Sequence, residues 1–386
     1  MKIAYLSRVS FTDCDFPLIR EMQRQSVDVT YYILCNCWDL RGTLFNIKKQ
    51  YPKDGIFPSS IYGELLEPYK DYIDLSKVRI VNRTKSSAFH PSTILLIFKL
   101  LRELIRNRYT IIHITLPLEK TICLLYYLRK KMVLTLHDPF PHSNNLSDHQ
   151  MLRTRKLAFK LVPKIMLLNN TMVEPFCSVN HVSQNRAFVS KLGTYDCISM
   201  VKPVMPYPIN SPYILFFGGI APYKGVEYLM MAFNKICDSF PHVKLVIAGG
   251  GKIYFDKGLY EGNPNIIVLN RFCEISEIAG LLKNCLFTVC PYKDATQSGV
   301  VQTALTMEVP LVVTNVGALP DPVVNHQVGL VVQPCQSEAL AEAMTYMLNN
   351  PQKIKEMKKN IMSNWKPQMN WSSIVNDYVK CYSTQI

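Results

Sequence analysis

No apolar run in this chain of 386 residues reaches the roughly 18–20 residues that a bilayer-spanning helix needs. The longest candidates, STILLIFKLL (92–101) and KTICLLYYL (120–128), are cut short by Lys99, Arg102 and Arg129. Cys-x-x-Cys is also missing. The twelve cysteines are scattered, Cys35 and Cys37 being the closest pair, which argues against a zinc site and for buried, reduced thiols in the cytoplasm. There is neither a Walker GxxxxGK[ST] loop nor a GxGxxG fingerprint. No low-complexity tract interrupts the chain, and an apolar content of 48% excludes a disordered chain. The opening MKIAYLSRVS reads as a first strand rather than a signal peptide.

Acid is scarce, and unevenly so. Lysine and arginine outnumber aspartate and glutamate 43 to 29, and residues 1–202 hold 29 basic against 16 acidic residues. Nearly all of the surplus therefore lies in the first half. It points to an anionic partner, an acidic membrane or phosphorylated lipid ahead of nucleic acid, for which no binding module is present, or else to a merely soluble basic surface. In 94–108 (ILLIFKLLRELIRNR) and 121–131 apolar and basic residues alternate. That pattern suits a helix lying on a membrane surface, but for each helix taken alone it suits an ordinary core helix with one solvated face slightly better.

What the chain does contain is a run of short apolar segments joined by amphipathic ones. In the second half, ILFFGG (214–219), VKLVIAGG (243–250), NIIVLN (265–270), LFTVCPY (286–292) and PLVVTNVG (310–317) read as strands. KGVEYLMMAFNKICDSF (224–240), ISEIAGLLKNC (275–285), VVQTALTME (300–308) and SEALAEAMTYMLNN (337–350) read as helices. Strands that are apolar throughout and alternate with helices predict a parallel sheet covered on both faces. The first half reads the same way through KIAYLS (2–7), DVTYYIL (28–34), YTIIHI (109–114), KMVLTLH (131–137) and KIMLLN (164–169), with residues 40–75 as an insertion. Four prolines in VKPVMPYPINSPY (201–213) mark a linker, and a second break falls near Lys366 and Pro367. The predicted organisation is an N-terminal Rossmann-like domain (1–202), a linker (203–213), a C-terminal Rossmann-like domain (214–365) and a terminal helix (366–386) crossing back. The two doubly wound α/β domains are expected to face each other across a cleft.

Three strand ends of the second half carry glycine or helix-start chemistry: GGIAPYKG (218–225), AGGGK (248–252) and DATQSGVV (294–301). Glycine lets a ligand approach the backbone, and the start of a helix offers unpaired N–H groups with about half a positive charge. Lys224 adds a whole charge, and Ser298 either caps a helix or binds phosphate through its hydroxyl. Together they predict an anion site, most simply for a nucleotide diphosphate.

The segments GGIAPYKGVEYLMMAF, KLVIAGGG, CPYKDATQSGVVQTA and PLVVTNVGALPD resemble, in order and spacing over about 214–350, the nucleotide-sugar domain of retaining glycosyltransferases of family 4. VLTLHDPFPHS (133–143) and the terminal WSSIVNDYVKCY are similar to parts of the same family. The resemblance implies the GT-B fold and a metal-independent transfer of a hexosyl group from a nucleotide diphosphate sugar, with the anomeric configuration kept. No cofactor is implied beyond that co-substrate. The acceptor would be a saccharide or a lipid-linked saccharide, in cell-surface polysaccharide synthesis. It further implies that Lys224 and His137 are catalytic, Lys224 on the diphosphate and His137 facing the donor sugar. Gly218, Gly219, Arg271, Thr296, Gln297, Ser298, Gly299 and Val300 would bind the donor, and Asp138 and His142 the acceptor, although Arg271 reads equally as a surface residue and Asp138 first as one that orients its loop. His113 reads as a core residue. Two positions depart from the family: Gly219 stands where an arginine is common, and Thr303 where a glutamate is. These departures support the rival reading of a non-catalytic GT-B binding protein. A nicotinamide-dependent oxidoreductase shares the fold class but would need the missing GxGxxG.

Overall fold

The computed structural model describes residues 1–115, 117–118, 122–140, 152–295 and 298–385. The chain divides into two compact units. One holds the residues up to Gly193 and takes back Trp371–Ile386; the other holds Thr194–Asn370. The sequence places these changes at 202 and 366. The difference arises because residues 194–204 are already tied to the second unit. Tyr195 N donates to Thr306 Oγ1 at 2.9 Å and Val204 N to Ser276 O at 2.9 Å.

Among the described residues the first unit is built on eight strands: β1 (Lys2–Arg8), β2 (Asp28–Asn36), β3 (Gly55–Pro58), β4 (Val78–Arg83), β5 (Ile111–Ile114), β6 (Met132–Leu136), β7 (Lys164–Leu167) and β8 (Ala187–Val189). Their order is β3-β4-β2-β1-β5-β6-β7-β8, parallel except for β3, which runs antiparallel on β4. β3 lies in the segment read as an insertion, which thus adds an edge strand to the sheet. In β1 the residues from Ile3 to Ser7 are all buried, as a strand covered on both faces requires. Helix α1 (Thr12–Arg24) follows β1, and helix α2 (Pro91–Arg106) precedes β5.

The second unit has six parallel strands: β9 (Tyr213–Phe217), β10 (Lys244–Ala248), β11 (Ile266–Leu269), β12 (Phe287–Cys290), β13 (Leu311–Thr314) and β14 (Gly329–Val332). Their order, β11-β10-β9-β12-β13-β14, is that of a doubly wound dinucleotide-binding sheet. Helices α3 (Val226–Ile236), α4 (Ile275–Asn284) and α5 (Gly299–Thr306) join strands, and α6 (Ser337–Asn349) follows β14. In α3, Val226, Leu229, Met230, Phe233 and Ile236 are buried at helical spacing, while Glu227 sits in the first turn, where the helix dipole favours a carboxylate.

The last helix, α7 (Trp371–Ser383), belongs to the first unit and packs against α1. Its buried residues Trp371, Ile374, Val375, Tyr378, Cys381 and Tyr382 follow one helical face. Lys164 Nζ donates to the carbonyls of Cys381 and Tyr382 at 2.8 and 3.0 Å, which satisfies acceptors that a helix end leaves open. Tyr382 Oη and His113 Nδ1 are 2.8 Å apart, and His113 Nε2 is 2.7 Å from Thr135 Oγ1. His113 is fully buried, in keeping with its reading as a core residue.

Candidate active site

In the second unit β9 lies between β10 and β12, so successive connections leave it in opposite directions. A doubly wound sheet opens a crevice at such a point, beyond the carboxyl ends of the strands. The three loops singled out in the sequence leave the sheet there, after β9, β10 and β12. They are locked together by backbone contacts. Gly218 N donates to Ala248 O and Ile220 N to Gly250 O, both at 3.0 Å. Lys293 N donates to Tyr223 O at 2.7 Å, which ties the loop after β12 to the loop after β9. Gly249 has φ +152°, and a Cβ there would fall 2.0 Å from Gly218 O, so only glycine permits this approach.

Lys224 and Ser298 meet at one ring. Lys224 ends the short 3-10 turn Pro222–Lys224, and its Nζ lies 3.8 Å from the ring centroid of Tyr292 and 5.1 Å from that of Tyr223. The hydroxyl of Tyr292 is 3.3 Å from Ser298 Oγ. Ser298 is the residue preceding α5, but its side chain makes no capping bond. Intrahelical bonding starts at Gln302 N, which donates to Ser298 O at 3.2 Å; the geometry of a helix start leaves the N–H groups of Gly299, Val300 and Val301 without acceptors inside it. No acidic residue lies in the first turn of α5. Gly218, with φ +113°, sits beside this start: a Cβ there would come 3.1 Å from Val300 Cγ2. The structure thus brings Gly218, Lys224, Ser298, Gly299 and Val300 together. Thr296 and Gln297 lie outside the described residues.

Gly219 is open by comparison. A Cβ built on it would meet nothing closer than Gly250 O at 3.7 Å. Thr303 donates its hydroxyl to Gly299 O at 2.8 Å and is buried, so it braces α5 from within. Arg271, after β11, is held in a two-pronged ion pair with Glu277 at 2.6 and 2.8 Å and also donates to Phe272 O. Glu277 in turn accepts from Glu274 N at 2.8 Å, and the guanidinium keeps its carboxyl below the ordinary range. Arg271 is therefore fixed at the edge of the sheet with its charge already matched.

In the first unit His137 follows β6 and its ring stacks on that of Phe11, centroids 4.1 Å apart and planes 10° from parallel. Phe11 belongs to the connection after β1. The residue keeps partial exposure, but its Nε2 is buried, and desolvation lowers its pKa to about 4. The imidazole is thus neutral near pH 7 and offers one donor and one acceptor. Asp138 accepts at its carbonyl from Arg155. His142 lies outside the described residues.

Sequence reasoning passed over two features. Tyr292 reads only as the end of a buried strand, and nothing in its spacing signals a shared platform. Asp13-Cys14-Asp15 is an Asp-x-Asp triplet in the first turn of α1, with Cys14 and Asp15 buried and Asp13 half-buried. Asp15 accepts from the hydroxyls of Tyr5 and Tyr31, each at 2.9 Å, and burial raises its pKa to about 7. One ligand atom each of Cys14, Asp15 and His137 lie within 4.8 Å of one another. However, both Asp15 oxygens are taken up by tyrosines and Cys14 Sγ donates to Phe11 O, so these groups are satisfied from within the protein.

Residues 211–350 match the model of the family described as glycosyl transferases group 1. The match covers the switch-point site of the second unit and leaves the first unit outside it. Among curated proteins the chain is similar to an uncharacterized glycosyltransferase of Methanocaldococcus jannaschii, 27% identical over 44% of this chain and 47% of that one. It is also similar to the capsular polysaccharide biosynthesis glycosyltransferase CapM of Staphylococcus aureus, 22% identical over 58% of this chain and 63% of that one. The chain thus spans about half to just under two thirds of these relatives' lengths. Among solved structures, HepE of Anabaena in complex with UDP-glucose aligns over 100% of both chains with a TM-score of 0.69 at 14% identity. That likeness establishes the fold of two Rossmann-like domains. No helix among the described residues is long and apolar enough to cross a membrane.

Proposed function

We propose that this protein is a retaining glycosyltransferase that moves a hexosyl group from a nucleotide diphosphate sugar to a hydroxyl of a saccharide or lipid-linked saccharide. The observation that carries the reading is the convergence of Lys224 and the start of α5 on Tyr292, at the switch point of a sheet whose residues match a glycosyl transferase family. In the reaction the bond between the sugar's anomeric carbon and the diphosphate oxygen breaks, and negative charge grows on the leaving group. The ammonium of Lys224 and the N–H groups of Gly299 and Val300 face that charge. One preorganised donor of this kind contributes about 3–4 kcal/mol to the transition state. The acceptor oxygen attacks from the face the leaving group departs, and its proton passes to a leaving phosphate oxygen, which needs neither a carboxylate nucleophile nor a metal ion. His137, neutral at pH 7, is assigned a hydrogen bond to the donor sugar.

The capsular polysaccharide relative suggests cell-surface polysaccharide synthesis as the setting. Twelve free cysteines suit the reducing cytoplasm. The test is a thermal-shift panel of nucleotides and nucleotide sugars followed by product analysis. A donor bound by the folded form alone raises its melting temperature by mass action. Nucleotide release, retained configuration in the product, and a loss of about 100-fold or more in turnover on Lys224→Ala are expected. Unchanged turnover of that variant at saturating donor refutes the role given to Lys224. Donor binding without any nucleotide release favours a binding protein instead.

A further inference from the structure

α2 has apolar residues on two sides. Leu96, Ile97, Leu100 and Leu104 are buried in the core of the first unit, as an amphipathic helix requires. Its outward face should then be polar, yet Leu95, Phe98 and Ile105 are each about half exposed, along one stripe with Arg102 between them. Lys99 and Arg106 flank the stripe and are also exposed. The neighbouring 3-10 helix Ile122–Lys131 repeats the pattern. It contacts α2 and buries Leu125 and Tyr126 in the same core. Leu124, Tyr127 and Lys130, spaced by three and so aligned on a 3-10 helix, face outward, with Tyr127 74% exposed. Both elements bury one side against one core, so their opposite sides form a common outer layer. Phe89, 77% exposed, stands just before α2.

The charge on this layer has one sign. Residues 89–108 and 122–131 hold Lys99, Arg102, Arg106, Arg108, Arg129, Lys130 and Lys131, against a single acid, Glu103, which accepts from Tyr32 Oη at 2.9 Å. A protein-binding surface gathers its apolar residues into a core and is depleted in lysine. Here single apolar side chains alternate with cations, the arrangement that lets rings and aliphatic chains enter the acyl boundary while ammonium and guanidinium groups stay at the phosphates.

We propose that the outer face of α2 and the Ile122–Lys131 helix docks on an anionic phospholipid bilayer, with Phe98 and Tyr127 as its apolar anchors and Arg102 and Lys130 among its phosphate contacts. The inference rests on the first unit alone and is independent of the chemistry assigned to the second. It is tested by sedimenting the full chain with vesicles of phosphatidylcholine, with and without roughly one third phosphatidylglycerol, at low and moderate salt. The anionic vesicles are expected to bind at least about tenfold more tightly, less so as salt rises. Arg102→Gln and Lys130→Gln each lower that binding about fivefold. Phe98→Ser with Tyr127→Ser abolishes it while nucleotide binding and the circular-dichroism spectrum stay unchanged, which separates this surface from the donor site and from misfolding. Equal binding to both vesicle types, or charge variants that bind like the parent, overturns the proposal. So does a dimer that the Phe98→Ser, Tyr127→Ser variant dissociates in the absence of vesicle binding, which assigns the face to a second copy of the chain.

Discussion

Lys224 Nζ lies 3.8 Å from the ring centroid of Tyr292, and that ring's hydroxyl is 3.3 Å from Ser298 Oγ. One buried aromatic residue thus sets the height of the ammonium and the direction of the helix-start hydroxyl. Tyr292→Phe keeps the ring face and loses the contact with Ser298. It is expected to leave nucleotide affinity within about threefold of the parent. Tyr292→Leu removes the platform, worth about 1–2 kcal/mol to a desolvated cation, and is expected to weaken nucleotide diphosphate binding about tenfold. Isothermal titration of both variants checks the contrast. Equal losses would show that the hydroxyl, not the ring, positions the site.

Gly218→Ala tests the close approach of β9 to α5. The backbone there has φ +113°, and the new methyl would press on Val300 Cγ2 at 3.1 Å. A loss of about 1–3 kcal/mol in urea unfolding is expected, together with weaker nucleotide binding as the start of α5 is displaced.

Gly219→Arg is the converse. Its φ lies outside the left-handed region and the space above it is open. A second cation beside Lys224 is expected to tighten binding of a nucleoside diphosphate by about tenfold, as a charge-assisted bond of about 1.5–3 kcal/mol allows, and more at low salt than at high. Affinity equal to the parent's at both salt concentrations would show that residue 219 does not face the phosphates.

His137 supplies a pH test. Its folded pKa, about 4, lies below the ordinary value of 6.5. Between these values the unfolded chain binds more protons than the folded one, so stability present above pH 6.5 is lost as the pH falls towards 4. Asp15 acts in the opposite sense, because burial raises its carboxyl from 3.8 to about 7 and its contribution is lost as the pH rises through that window. His137→Gln removes the first effect and leaves the second. Relative to the parent, the variant is expected to gain on the order of 1 kcal/mol per pH unit between pH 6 and 4.5, read from urea unfolding curves. A constant difference across that range would mean that His137 ionises freely in the folded protein.

Much of the architecture could be read from the chain. The apolar runs that became β9, β10, β12 and β13 are short, rich in branched residues and separated by amphipathic segments, which leaves a parallel sheet as the way to bury them. The glycines after β9 and β10 were legible as places of close backbone approach. Other elements were not. β3, β8 and β14 escaped notice because short strands at a sheet edge, such as half-exposed Gly329–Val332, carry little periodic signal, and β4 because Arg79, Asn82 and Arg83 interrupt its apolar run. Arg271 read equally as a donor contact or a surface arginine; its forked pairing with Glu277 depends on how α4 begins, which no local pattern announces.

The sequence by itself determined the class of fold, the strand ends at which backbone N–H groups are offered, and the concentration of positive charge in the first half. These follow from local periodicity, backbone freedom and composition, which need no knowledge of neighbours. Only the tertiary structure decided that β9 pairs with β12, and therefore that Lys224 and Ser298 share Tyr292. It alone decided that Asp15 is enclosed by Tyr5 and Tyr31, and that the apolar stripe of α2 is left outward. Such relationships join residues far apart in the chain through strand order and packing, and no spacing along the sequence encodes them.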